Sequence, residues 1–152
     1  MINTELANNS ITAPIFNAIL CPVDLGTDCL IALRVGRRLA QRNGAKISLV
    51  HVMTPPVPGG GILPKDKAKV REALEAKLQN ELVGIDYQMI VRWGNPVKEI
   101  IAAERECEAD LCVMTNLGRM GTSHFFMRSI AEKVARESLC PVLTVGVNGL
   151  IE

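Results

Sequence analysis

Two segment ends in this 152-residue chain carry residues able to do chemistry. Asp24 closes the apolar run Ile19-Leu20-Cys21-Pro22-Val23 and is followed by Leu25-Gly26. The second stretch starts at Met114-Thr115-Asn116-Leu117-Gly118 and continues to Ser129-Ile130-Ala131-Glu132, which reads as a capping box opening a helix. A helix start presents unpaired N–H groups and partial positive charge, a natural seat for an anion. A carboxylate on one lip and an anion seat on the other suit a nucleotide, with base or ribose donors to Asp24 and phosphates to the helix. Each residue also has a plain structural use: Asp24 can cap the turn that follows it, and Ser129 can cap its helix and nothing more.

The other polar candidates carry less. His51 lies inside an apolar segment and reads as a packed wall residue of core or pocket, not a catalytic base. His124 falls in the 118–127 stretch, read as an exposed loop. Trp93, the only tryptophan, ends a segment of edge-strand character, where it either anchors a partner or covers the sheet edge. Gly59-Gly60-Gly61 is flanked by prolines and stands several residues from the next helix, so it reads as a flexible loop and not a phosphate cradle. No G-x-x-x-x-G-K, G-x-G-x-x-G or G-x-S-x-G motif occurs. A nucleotidyl transferase or flavin protein on the same sheet would need a catalytic His or Lys signature in the strand-end loops, and none is found. Cys21, Cys29, Cys107, Cys112 and Cys140 have no C-x-x-C spacing, and an odd count leaves one thiol over in any disulfide scheme. They read as reduced, partly buried thiols, with no grouping for a metal.

The elements that position these residues alternate in period. Residues 15–23 and 47–53 are short apolar runs suited to strands buried on both faces. Between them, Ile31, Val35 and Leu39 recur at helical spacing over 28–43, with Thr27 or Asp28 as cap and Gly44 as the left-handed stop. A polar helix spans 65–83, with Val70, Ala73, Leu74, Leu78 and Leu82 on its apolar side. A weaker strand at 85–91 suits a sheet edge. Asn95-Pro96 starts a helix whose Val97, Ile100 and Ile101 face inward. Strand 111–114, a helix from 129 to about 139 and strand 141–147 complete the order β-α-β-α-β-α-β-α-β. That order predicts one α/β domain: a doubly wound parallel sheet with helices on both faces.

Lys and Arg number 17 against 16 Asp and Glu, a net charge of +1, so no electrostatic footprint for nucleic acid or an acidic membrane surface is present. No stretch reaches the roughly 18 apolar residues of a membrane span. Residues 1–14 read as a loose arm without signal-peptide character and 148–152 as a tail, which makes a cytoplasmic location the expectation.

The blocks ILCPVD at 19–24, KISLVHV at 46–52, GNPVKEIIAAERECEADLCVM at 94–114 and SIAEKVARESLCPVLTV at 129–145 resemble the universal stress protein family, in family order, over residues 16–147. The resemblance implies five parallel strands in order 3-2-1-4-5, which sets the two lips side by side. It also implies a homodimer through the last strand, Val142, Leu143, Thr144 and Val145, and leaves another protein partner open. Many members bind ATP through a Gly-x2-Gly-x9-Gly-Ser/Thr pattern. On this chain those positions are Thr115, Gly118, Arg128 and Ser129, so two of the three glycines are replaced. Asp24, beside Pro22, matches the family's acidic residue near adenine and ribose, and Val52 a strand position lining that pocket. Thr115 is expected to add bulk beside the nucleotide and Arg128 to block a bare-backbone cradle, which disfavours ATP. The resemblance thus implies a non-catalytic regulatory module of the stress response with a degenerate nucleotide site. The alternative is an ATP-binding switch with slow or no hydrolysis, in which the Arg128 side chain reaches a phosphate.

Overall fold

The computed structural model describes residues 13–54, 64–116 and 122–146, without the side chains of 64–65 and 122–128. Most of the expected arm, the triglycine loop, Gly118 and the tail lie outside the described residues. The strands are β1 (Ala18–Pro22), β2 (Lys46–Met53), β3 (Tyr87–Trp93), β4 (Leu111–Asn116) and β5 (Val142–Gly146). The helices are α1 (Cys29–Asn43), α2 (Pro64–Leu82), α3 (Pro96–Glu106) and α4 (Thr122–Glu137). All strand pairs are parallel, in order β3-β2-β1-β4-β5, so the sheet is the one expected.

Side chains alternate across this sheet, and the parity sorts the core into two layers. Ile19, Cys21, Leu49 and Val113 pack with Leu33 of α1 and with Leu74 and Leu78 of α2. Leu20, Val50, Cys112 and Met114 pack with Ile100 of α3 and with Ile130 and Val134 of α4. Both faces are therefore covered, as continuous apolar strands require.

β1 is shorter than the apolar run 15–23. The amides of Asn17 and Ala18 bond to the Asp110 carboxylate at 2.7 and 3.0 Å, and that of Ile15 to Asn43 Oδ1 at 3.1 Å. Side chains thus take the partners that a longer ladder would have used.

Three local expectations change. The buried stripe of α1 is Cys29, Ala32, Leu33, Gly36 and Ala40, with Ile31, Val35 and Leu39 half-buried beside it. Small residues face the sheet because they let the helix approach closely. Asp28 precedes α1 with helical torsions and makes no side-chain cap, whereas Gly44 closes it in the left-handed conformation as predicted. Ala73 on α2 is exposed, while Leu74, Leu78 and Leu82 are buried.

The largest change concerns α4. It begins at Thr122, so Ser129 is an interior residue and His124 lies on a helix instead of a loop. Nothing between 122 and 137 breaks a helix, since the stretch contains neither proline nor glycine. The Ser129–Glu132 spacing is also compatible with an uninterrupted helix.

Candidate functional site

β1 and β4 are neighbours, and β2 flanks β1 on the other side, so three carboxyl ends meet in one region. The strand order reverses there, which is where open α/β sheets bind ligands. A cavity of about 130 Å3 lies at these ends. β1 and its exit contribute Pro22, Val23 and Asp24; β2 and its exit contribute Val50, His51, Val52 and Thr54. Pro96 and Ile100 of α3, Met114 of β4 and Ile130 of α4 complete the wall. The lining is mainly apolar, with Asp24 as its carboxylate.

The exit of β1 is held from several directions. Val23 N–H donates to Val50 O at 2.8 Å, extending the β1–β2 ladder. His51 Nδ1 lies 2.8 Å from Val23 O, and since a carbonyl only accepts, the ring nitrogen carries the proton. His51 is thereby a wall residue with a structural bond. Asp24 Oδ1 accepts from Gly26 N at 2.6 Å, closing a tight turn. A Cβ on Gly26 would stand 2.8 Å from that oxygen, so glycine permits the approach. Beyond the turn, the Cys29 thiol lies 3.5 Å from both Asp24 O and Gly26 O. Burial is the largest cause pushing the Cys29 thiol up to about 11, so it stays protonated and acts as a donor, not a nucleophile.

Pro22, Asp24 and Val52 are thus brought together on one cavity wall. Thr115 is not with them. It is buried with parity opposite to Met114, and its Oγ1 donates to Asp28 O at 3.0 Å, at the start of α1. Its bulk faces the α1 side of the sheet and not the cavity. Ser129 lies in the interior of α4, about two turns after the helix start. Its amide belongs to the helical ladder, so the expected anion seat at that residue does not form. The Arg128 side chain and Gly118 lie outside the described residues.

Sequence reasoning missed Thr54, Pro96, Ile100, Met114 and Ile130 as wall residues. Parity held the signal for one of them: if Thr115 faces α1, Met114 must face the opposite layer. Asn116, at the end of β4, has a buried Oδ1 without a hydrogen-bond partner among the described residues. Among the described residues no cluster of His, Cys, Asp or Glu could hold a metal, and no helix is long and apolar enough to cross a membrane.

A doubly wound parallel sheet with a small cavity at its switch point, under an acidic lip, defines an open α/β domain with one candidate site. The family model of the universal stress protein family matches residues 16–146, and the chain belongs to that family. A universal stress protein of Thermus aquaticus is 31% identical over 136 residues, covering 86% of this chain and 98% of the relative. Among solved structures, a universal stress protein in complex with cAMP shares the fold with a TM-score of 0.65 at 21% identity, covering 86% and 97% of the two chains. A universal stress protein from Archaeoglobus fulgidus in complex with dAMP has a TM-score of 0.60 at 20% identity, covering 86% and 98%.

Proposed function

We propose that this chain is a non-catalytic binding module of the stress response, dimeric through β5, that takes an adenine-class group in the strand-end cavity and holds ATP weakly or not at all. Ser129 carries this reading. At the position where ATP-binding members are expected to bare their amides to phosphate, this chain runs a continuous helix with its amides already engaged. The cavity of about 130 Å3 is also below the roughly 300–1,000 Å3 of clefts that bury drug-sized ligands.

The residues that remain do fit a small base. Apolar walls from Val52, Ile100, Met114 and Ile130 can sandwich a ring, and Asp24 can accept from a ribose or an exocyclic amine. Asn116 Oδ1 adds a buried acceptor at the end of β4. The two neighbours solved with cAMP and dAMP make a nucleoside monophosphate the first ligand class to test. In this reading a bound nucleotide is recognised and not turned over.

The test is a thermal-shift and calorimetric comparison of AMP, cAMP and ATP with magnesium. AMP or cAMP should raise the melting temperature at least as much as ATP does, with no phosphate released from ATP. ATP binding tighter than AMP by tenfold or more would establish the nucleotide switch instead.

A further inference from the structure

Among the described residues, the sheet ends at β3 without a neighbour on its outer side. Beside it runs a groove of about 480 Å3, lined by residues 88–93 of β3, Lys67 and Arg71 of α2, and Glu99 and Glu106 of α3. Folded proteins usually close such an edge, because its unpaired N–H and C=O groups invite another strand. Here no described residue pairs with it along the six consecutive residues 88–93.

The two walls differ in charge. Met89 packs with the α1/α2 layer and Ile90 with the α3/α4 layer, so even-numbered residues of β3 face α3. Arg92 follows that parity: its Nε lies 2.7 Å from Glu99 Oε2 and its Nη1 2.5 Å from Glu106 Oε2. Its guanidinium is drawn to the α3 wall and does not swing across the edge as a guard. Lys67 and Arg71 stand one turn apart on α2, both exposed, and neither is held in an ion pair with a described residue. The α2 wall is therefore cationic and the α3 wall carries one more carboxylate than it has cations.

We propose that the β3 edge docks an extended acidic segment of a partner protein, added as a further strand, with its acidic side chains toward Lys67 and Arg71 and neutral or basic ones toward α3. Side chains of an added strand alternate between the two walls, so the charge pattern selects both sequence and facing. Trp93 closes one end of the groove, a residue type suited to anchoring a partner. A second copy of this chain fits worse. Antiparallel pairing of two β3 edges would set the Lys67 and Arg71 pairs of both copies on one face, where like charges repel.

The experiment uses the full chain and labelled peptides of about seven residues. One alternates Glu with Thr, one alternates Lys with Thr, and a third is the Glu peptide with alternate amides N-methylated. The Glu peptide should bind by fluorescence anisotropy, and the β3 amides should gain hydrogen-exchange protection. The Lys and N-methylated peptides should bind at least about tenfold more weakly. Lys67→Gln with Arg71→Gln should lower affinity by about tenfold at an unchanged melting temperature, since both side chains are exposed. The proposal is overturned by absence of saturable binding at millimolar peptide, by equal binding of the Lys peptide, by unimpaired binding of the N-methylated peptide, or by protection appearing at β5 instead.

Discussion

Ser138 donates its hydroxyl to Glu104 Oε1 across 2.7 Å, and with that bond the turn that opens β5 is fastened to the last part of α3. The other oxygen of Glu104 accepts from the Leu139 amide at 3.1 Å. Glu104 is only 2% exposed, so its carboxylate is withdrawn from water, while Ser138 is half-buried and Leu139 exposed. Truncation would empty the space of a buried side chain and take the acceptor from the Leu139 amide, and the Ser138 hydroxyl would keep Cys140 O, at 2.8 Å. Glu104→Ala should therefore cost about 2–4 kcal/mol, and Glu104→Gln, which keeps one acceptor, about half of that. Urea unfolding reads both, and an unchanged midpoint in Glu104→Ala would show that the contact contributes nothing.

Gly36 on α1 lies directly over β1. A Cβ there would meet Cys21 Sγ at 2.5 Å, and Cys21 is fully buried, with Ile19 and Val113 beside the same position at 3.8 Å. Alanine would gain up to about 1 kcal/mol of helix propensity, while overpacking costs about 1–3 kcal/mol, so the clash wins. Gly36→Ala should destabilise, and Cys21→Ala placed in that background should recover most of the loss. Additive losses in the double variant would disprove the contact.

The thiols make a prediction in pH. Burial, as the largest cause, pushes Cys21 up to about 12 and Cys29 up to about 11, from an ordinary 9.0. The native state thus holds protons that the unfolded chain releases above pH 9. Their contribution to stability is complete below pH 9 and is lost as pH rises through 11 to 12, by up to about 1.4 kcal/mol per pH unit for each thiol. Cys21→Ala with Cys29→Ala should flatten the alkaline limb of a stability profile. In the native protein at pH 8, iodoacetamide should reach the half-buried Cys107 and Cys140 first, and Cys21, Cys29 and Cys112 only after unfolding. Early labelling of Cys21, read by peptide mass, would contradict this.

Thr115 separates two accounts of the missing glycine. Because its hydroxyl donates to Asp28 O, on the face away from the cavity, Thr115→Gly should open no room for a ligand. It should lower stability by about 2 kcal/mol through the lost bond and a weakened strand interior, and Thr115→Ser should restore most of that. ATP affinity should stay where it was. A rise in ATP affinity in Thr115→Gly alone would mean that the side chain does obstruct the nucleotide.

The alternation of elements and the stops at Gly44 and Asn95-Pro96 were legible because each rests on a local rule: period, φ > 0, or a cap beside proline; the sheet order came only through the family resemblance. What was not legible rests on facing and on competition. Pro22 and Asp24 were legible because the carboxyl end of a buried strand at the switch point borders the crevice whatever its side chains, whereas Val52 came only through the family resemblance. Thr115 was misjudged because position along a strand says nothing of the face without a neighbour's parity. Ser129 was misjudged because S-x-x-E suits a helix interior as well as a helix start, and only the uninterrupted run from Thr122 decides between them. Glu104 escaped notice because a glutamate on a helix is ordinarily solvated, and its partners lie 34 and 35 residues away.

The far edge of the sheet supplies the test of assembly. β5 pairs only with β4 among the described strands, and it carries Leu143 at 40% exposure, on the same sheet face as Val145. An apolar, β-rich edge of this kind pairs unless it is covered, which is the physical case for a dimer through this strand. Val145 is the poorer probe, because it packs against the α1/α2 core and lysine there would disturb the fold itself. Leu143→Lys places the charge at a position of that same face that already meets solvent, beyond the buried core. Two such charges brought together across a two-fold axis would repel, so the variant should sediment as a monomer with the melting profile of a folded domain. A Leu143→Lys protein that remains dimeric at micromolar concentration would place the interface on some other surface, and the β5 assignment would fall with it.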